Sequence, residues 1–523
     1  MTTTLDDPAL DDLPISTHRD NQRPVHERFE KQARRTPDAP AILAAPDTTI
    51  SYRVLDERAD RLASYLQTAN VMRNTLVAIC MDQRPELVIC MLAVLKAGGA
   101  YVPIDPNNPD ERIRHILADT SASLMLTTSS LASRWADMGA EAVCVDDPDL
   151  ADPSPAGERR VPAQVQMEQL AYCIYTSGST GVPKGALNLH RGLANLINWY
   201  VGEVGMSAVD RVMVASSIGF DLTQKNIFAP LCIGACVLLP RCSPAEAARF
   251  LKTLSTLRPT WINCAPSTFR TFAASPRIWS IRTVVLGGET VDEALVSSLK
   301  GRDLRLINSY GPTECSDVAT WLQWQTNTPL PSGNMPIGRP IANVVVHLLD
   351  DALNPVPMGE PGEICIGGVG VGRGYLGQAE KTADRFVVNP RDPEGSVIYR
   401  TGDLGKMRAD KSVDFIGRRD FQVKGRGHRI ELGEIESRLL DDPSVAAAAV
   451  CAFEAAPGDT RLVAYVVAKG GSANATGDAL SRKLGTHLPD YMIPCSWVAM
   501  ESLPINLSGK IDRLSLPRPT WVR

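Results

Sequence analysis

"YTSGSTGVPKG" occupies residues 175–185, directly after the apolar run "AYCI" at 171–174. A strand that empties into hydroxyls, glycines and one lysine has the parts of a phosphate cradle. Thr176, Ser177, Ser179 and Thr180 offer hydroxyls. Gly178 and Gly181 free backbone N–H groups to wrap an anion, and Lys184 adds charge. The Walker pattern is not met, because it needs a hydroxyl after the lysine and Lys184 is followed by Gly185. Composition alone also allows a solvated Gly/Ser turn.

Outward from this loop, short apolar runs alternate with helical patterns. "LVAICM" at 76–81 reads as a strand. "PELVICMLAVLKAGG" at 85–99 reads as a helix with Pro early and Gly at its end. Strand patterns return at "AYVPIDP", "AYCIYTSG", "RVMVASS", "ACVLLP", "TVVLGGE" and "LRLINSYG". Such alternation predicts a large α/β body with mainly parallel sheets. After about residue 335 the texture turns Gly-rich and β-branched, as in "GEICIGGVGVGRGYLG", which predicts a smaller β-rich section. Residues 420–523 carry their own strand patterns and read as a small α+β domain, with the boundary in "GRRD" at 417–420. Residues 1–24 open on the acidic "MTTTLDDPALDDLP" and read as a disordered lead-in.

The 523 residues are 44% hydrophobic and 22% charged with a net charge of −5, an ordinary balance for a soluble globular protein that proposes no polyanion partner and disfavours nucleic acid. The longest apolar runs, at 87–95 and 445–453, fall short of the roughly 18 residues that cross a membrane. The acidic start lacks a secretion signal's apolar core, so a cytoplasmic location is expected. The 12 cysteines form no zinc spacing and read as reduced core thiols.

The loop resembles the phosphate loop of the adenylate-forming superfamily: acyl-CoA synthetases, luciferases and the adenylation domains of nonribosomal peptide synthetases. "LKAGGAYVPIDP", "NSYGPTE", "YRTGDL", "GRRDFQVKGRGHRIELGEIE", "LPDYMIP" and "NLSGKIDR" follow the adenylation-domain series in order, and the likeness spans about residue 25 to 516. The resemblance implies a large N-terminal core over 25–419, made of two mostly parallel α/β subdomains and a β-rich one. A small mobile lid over 420–523 would swing about Asp420. It implies ATP and Mg²⁺, a carboxylate coupled to AMP, and a thiol that then takes the acyl group. In its terms the 176–181 loop and Lys184 hold phosphates, Tyr310 stacks on adenine and Asn308 meets its edge. Thr313 meets the α-phosphate, Glu314 ligates Mg²⁺, Asp403 takes the ribose hydroxyls and Arg418 reaches ribose or phosphate. Lys510 bridges carboxylate, ribose and phosphate during adenylation. Lys424 and the "GRGHR" turn at 425–429 serve the thioester pose.

Asp221, in "FDLTQKN", matches the carboxylate that amino-acid-activating members set against the substrate's α-ammonium. Burying a carboxylate for a substrate without a cation would cost several kcal/mol. By alignment the side-chain pocket falls to Leu222, Lys225, Cys264, Val285, Gly287, Ser309, Asp317 and Val318. Lys225 could hold a polar or acidic side chain, such as an aspartate- or glutamate-like one, the favoured reading; Asp317 could meet a polar neutral or cationic one; or the two charges could satisfy each other. The expected partner is a carrier protein bearing phosphopantetheine, loaded in trans by a freestanding enzyme or excised domain of antibiotic-type peptide synthesis, with an MbtH-like helper left open. An acyl- or aryl-CoA ligase and an inactive binding scaffold are the rivals. "HRD" at 18–20 lacks the rest of a kinase set, "GVGVGRG" at 368–374 lacks a strand–helix setting, and His190 reads as packing.

Overall fold

The structure is a computed structural model that describes residues 23–45, 47–151, 162–178, 182–326, 328, 334–419, 422–425, 428–456, 459–469, 477–505 and 511–519. Two large sheets form the body. The seven-stranded one runs Gly374–Tyr375, Lys184–Leu189, Leu170–Thr176, Ala100–Ile104, Leu76–Cys80, Leu124–Thr127 and Glu141–Cys144. Its pairings from Leu170–Thr176 outward to Glu141–Cys144 are all parallel. The nine-stranded sheet runs from Arg339–Pro340 through Thr320–Gln325, Arg305–Tyr310, Thr283–Gly287, Trp261–Cys264, Arg211–Val214, Cys236–Leu239 and Pro40–Ala44 to Thr48–Ser51. Its inner pairings, from Arg305–Tyr310 to Pro40–Ala44, are parallel and only the flanks are antiparallel.

Both sheets obey the burial rule for parallel strands. Ala100–Ile104, Leu124–Thr127, Trp261–Cys264 and Thr283–Gly287 are buried at every position, so they read as continuous apolar runs rather than alternations. The helix Pro85–Ala97 is buried nearly all round, with Pro at its first turn and Gly98 closing it at φ 93°, a left-handed cap that costs glycine nothing. Its Lys96 is fully buried and is held by Asp56, by Asp60 at 2.8 Å and by Glu30 at 3.5 Å, as a buried ammonium requires.

The Gly-rich section forms a five-stranded sheet of Val344–Leu349, Pro361–Gly368, Val397–Met407, Phe386–Val388 and Val413–Arg418. Beyond it, Val445–Ala456, Asp459–Ala468 and Ser496–Ala499 form a three-stranded sheet covered by the helices Leu432–Leu440 and Gly477–Leu484. Ile430, Ile435, Val450, Ala464, Leu480 and Met492 belong to a core cluster of its own. This is the α/β architecture with a smaller α+β unit that the sequence predicts. Among the described residues no helix is long and apolar enough to cross a membrane.

Parallel sheets concentrate loops at the carboxyl ends of their strands, where ligand clefts form. Here Asp105, Ser177, Ser217, Gly288 and Gly311 each follow such a strand end and line one cleft.

Candidate active site

The loop leaves its strand at Thr176 and turns tightly. A Cβ on Gly178 would lie 1.8 Å from the carbonyl oxygen of Val182, so only glycine permits this turn. The Gly178 N–H donates to Glu434 at 3.3 Å, so a carboxylate of the C-terminal unit sits where the loop presents backbone N–H. Glu434 is buried and also accepts from Arg112 at 2.9 Å. Ser177 donates to the carbonyl of Arg429 at 2.6 Å. The buried Thr176 hydroxyl has no partner among the described residues, leaving a polar atom for a ligand. Ser179, Thr180 and Gly181 lie outside the described residues.

Behind the loop, Glu314 is fully buried and gathers three groups. Lys184 stands 3.3 Å away, Arg429 stands 3.2 Å away, and the Tyr375 hydroxyl donates to it at 2.7 Å. Burial alone would raise the Glu314 carboxyl, but Arg429 and Lys184 outweigh it and hold it well below the usual carboxylate range. Burial takes the Lys184 ammonium down to about 8, with Glu314 opposing. Lys184 also donates to the Tyr375 hydroxyl at 3.0 Å.

A second group forms where Arg305–Tyr310 meets the five-stranded sheet. The Tyr310 hydroxyl donates to Asp403 at 2.6 Å, and Arg418, paired across the sheet from Asp403, closes on its other oxygen. Both carboxylate oxygens are thereby oriented in a buried position. The Asn308 amide donates to the carbonyl of Pro336 at 2.8 Å. The bend after Tyr310 needs Gly311, where a Cβ would lie 2.3 Å from the carbonyl oxygen of Asp317.

Asp221 caps the helix Leu222–Ile233, accepting from the Leu222 N–H at 2.9 Å, and takes the Thr313 hydroxyl at 2.6 Å. Both direct partners are neutral. Burial, then the field of Asp317, lifts its carboxyl to about 7, against the Thr313 bond and the more distant Lys225. The cleft is lined by Asp221, Leu222, Gly287, Ser309 and Asp317 of the predicted pocket; Lys225, Cys264, Val285 and Val318 are buried and do not line it. Lys225 is fully buried and pairs with Asp317, the arrangement in which the two charges satisfy each other.

Lys510 and Asp420 lie outside the described residues, as does the side chain of Lys424. His190 is buried with neither ring nitrogen bonded among the described residues, and burial depresses it to about 4, so it is a neutral packing group. Sequence reading did not single out Arg112, Tyr375, Glu434 or Tyr491. Glu434 stands inside "ELGEIE" and Tyr491 inside "LPDYMIP", so their motifs were visible, but no spacing joins them to residues hundreds of positions away. In the structure Tyr491 stacks on His428 at 3.5 Å, and His428 meets Phe220, the neighbour of Asp221, edge-on at 4.3 Å.

Residues 29–376 match the AMP-binding enzyme family and residues 434–510 match the AMP-binding enzyme C-terminal domain. The chain belongs to the AMP-binding enzyme family, the ATP-dependent, adenylate-forming ligases. Tyrocidine synthase 3 of Brevibacillus parabrevis is 40% identical over 504 residues, which is 95% of this chain and 8% of that protein. Phosphinothricin tripeptide synthetase PhsC of Streptomyces viridochromogenes is 39% identical over 513 residues, 97% of this chain and 46% of that protein. The chain thus spans less than half the length of these relatives. Among solved structures, NpsA-ThdA of Klebsiella oxytoca, an artificially fused adenylation–PCP di-domain, superposes with a TM-score of 0.81 at 27% identity, covering 91% of this chain and 93% of that one. PA1221, a nonribosomal peptide synthetase protein with adenylation and PCP domains, superposes with a TM-score of 0.82 at 26% identity, covering 94% and 84%.

Proposed function

We propose that the chain activates an α-amino acid with ATP and passes the aminoacyl group to the phosphopantetheine thiol of a carrier protein. The observation that carries the reading is Asp221. A half-buried carboxylate at the cleft with only neutral direct partners is unfavourable until a cation arrives, and an α-ammonium supplies that cation. A simple acyl or aryl acid would leave it unpaired, which disfavours the CoA-ligase alternative. The assembled Glu314, Lys184 and Asp403 groups disfavour an inert scaffold.

In the first half-reaction the amino acid's carboxylate oxygen bonds to the α-phosphorus of ATP, the bond to the bridging oxygen of the β-phosphate breaks, and pyrophosphate leaves. In the second, the thiol sulfur bonds to the acyl carbon, loses its proton, and AMP leaves. Positioning and charge do most of the work in such phosphoryl chemistry. Tyr310 and Asn308 would frame the adenine, Asp403 and Arg418 the ribose, and Thr313 the α-phosphate. The 176–181 loop fits the outgoing phosphates: one of its N–H groups already holds a carboxylate and its Thr176 hydroxyl has no partner among the described residues. Glu314, a buried hard-oxygen donor, would hold Mg²⁺, which when bound offsets phosphate charge. Arg429 offsets the charge of Glu314 here, so a bound metal would compete with it for that carboxylate. Glu434 likewise competes with phosphate for the Gly178 N–H.

These two competitions support a division at Asp420 between a core over 25–419 and a lid over 420–523. With Arg429 and Glu434 seated, the cleft suits thiol attack, the pose that Lys424 would serve. With the lid turned, Lys510 would enter for adenylation. A carrier protein as partner draws support from the adenylation–PCP proteins of like fold. The test is pyrophosphate exchange into ATP across a panel of amino acids and their des-amino analogues. Exchange that needs the α-amine supports the proposal; equal exchange with des-amino acids refutes it.

A further inference from the structure

Behind the cleft the chain makes a bend that few side chains favour. Ser316 and Asp317 are consecutive and both adopt left-handed backbone, at φ 59° and φ 76°. Such residues cost on the order of 1–3 kcal/mol each and persist where the surroundings hold them. The bend brings the Asp317 carboxylate onto Lys225, whose ammonium also faces the Tyr200 ring at 5.9 Å. The Tyr200 hydroxyl is spent on Asn226 at 2.9 Å and on the Trp261 N–H at 2.5 Å. Lys225 is thus sealed behind Asp317, and the cleft meets the acid rather than the base.

Of the predicted side-chain pocket, the polar groups that line the cleft beside Asp221 are Asp317 and Ser309, and both can accept. Asp317 gives one oxygen, Oδ2, to Lys225 and keeps Oδ1. The Ser309 hydroxyl donates to the carbonyl of Leu286 at 3.0 Å, which leaves its lone pairs. Charge is already balanced: Lys225 answers Asp317, and the α-ammonium would answer Asp221. An acidic side chain would face two carboxylates, and a cationic one would add uncompensated charge beside Lys225. Space is short too. A Cβ built on Gly287 would lie 2.9 Å from the Ser309 hydroxyl and 3.4 Å from Leu222 Cδ2.

Resting on the amino-acid reading above, we infer that the substrate's side chain is short, neutral and ends in a hydrogen-bond donor, a hydroxyl or carboxamide N–H, that reaches Asp317. A side chain drawn to Lys225 would first have to break that lysine's buried pair. A site whose buried acceptors expect a donor rejects an isostere lacking it far more strongly than an apolar wall rejects a missing methylene.

The experiment uses the full chain in pyrophosphate exchange with threonine against valine, asparagine against aspartate and glutamine against glutamate, with lysine and leucine added. At least one donor should exceed its isostere by tenfold or more in kcat/KM, and lysine and leucine should trail it. Ratios near one, or a preferred acid, cation or hydrocarbon, overturn the inference while leaving amino-acid activation intact. Exchange with no amino acid at all overturns both. Asp317→Ala should free Lys225 and move the asparagine-to-aspartate ratio toward aspartate; an unmoved ratio in a folded variant also overturns it. The wild-type ratios decide the matter if that variant does not fold.

Discussion

Replacing Asp221 by Asn keeps an acceptor for the Leu222 N–H and a partner for Thr313 but removes the charge. Two effects of opposite sign follow. In the ligand-free protein the carboxyl is raised from an ordinary 3.8 to about 7, chiefly by burial. That difference corresponds to about 4 kcal/mol of destabilisation once the group is ionised. The folded state holds the proton more tightly than the unfolded one. The group's favourable contribution is therefore complete below the unfolded value and lost as pH rises through about 7. Asp221→Asn should be more stable than the parent at pH ~8, with the gap closing toward pH ~4. Substrate binding runs the other way. Losing one partner of a buried charge pair costs about 3–5 kcal/mol, so kcat/KM for the amino acid should fall by about 10²- to 10⁴-fold with the KM for ATP changing little. In the parent, amino-acid KM should rise as pH falls below about 7, where Asp221 takes up a proton. Pyrophosphate exchange at varied amino acid and ATP, beside thermal unfolding at pH ~5 and ~8, measures all of this. A variant destabilised at the higher pH, or one whose ATP KM rises as much as its amino-acid KM, would refute the reasoning.

Lys510→Ala should abolish pyrophosphate exchange while sparing thioester formation from preformed aminoacyl-AMP; equal losses would remove Lys510 from the adenylation pose. Lys184, depressed by burial to about 8, should lose its proton above that pH in the free enzyme, so the KM for ATP should climb from pH ~7.5 to ~9. A flat profile in Lys184→Arg, which keeps the charge, serves as the control. Arg112→Ala strands the buried Glu434 carboxylate, at a cost of about 3–5 kcal/mol to the contact between the C-terminal unit and the loop. Limited proteolysis near 417–421 should then accelerate several-fold, and an unchanged cleavage rate would deny that this pair fastens the lid.

The sheets were legible because fully buried parallel strands write continuous apolar runs, and the helix Pro85–Ala97 because Pro and Gly mark its ends. Glu314, Asp403, Tyr310 and Asp221 stand in ordered motifs of the sequence; in the structure Asp221 and Asp403 line one cleft, with Tyr310 bonded to Asp403 and Glu314 paired with the cleft residue Arg429. What stayed hidden was pairing across the chain. Nothing local says that Glu434 reaches Gly178, that Arg429 reaches Glu314, or that Lys225 turns from the cleft toward Asp317. The Lys225–Asp317 pair depends on two left-handed residues in succession, a geometry neither Ser nor Asp announces. From the sequence a polar or acidic side chain held by Lys225 is therefore the favoured reading, whereas the fold pairs Lys225 with Asp317 and turns Asp317 to the cleft.

A crystal structure of the chain with a non-hydrolysable aminoacyl-AMP mimic tests the central claim most directly. The account predicts the adenine beside Tyr310, the ribose hydroxyls on Asp403, and the α-amine within hydrogen-bond distance of Asp221. An amine turned away from Asp221, or a nucleotide bound elsewhere, would contradict it.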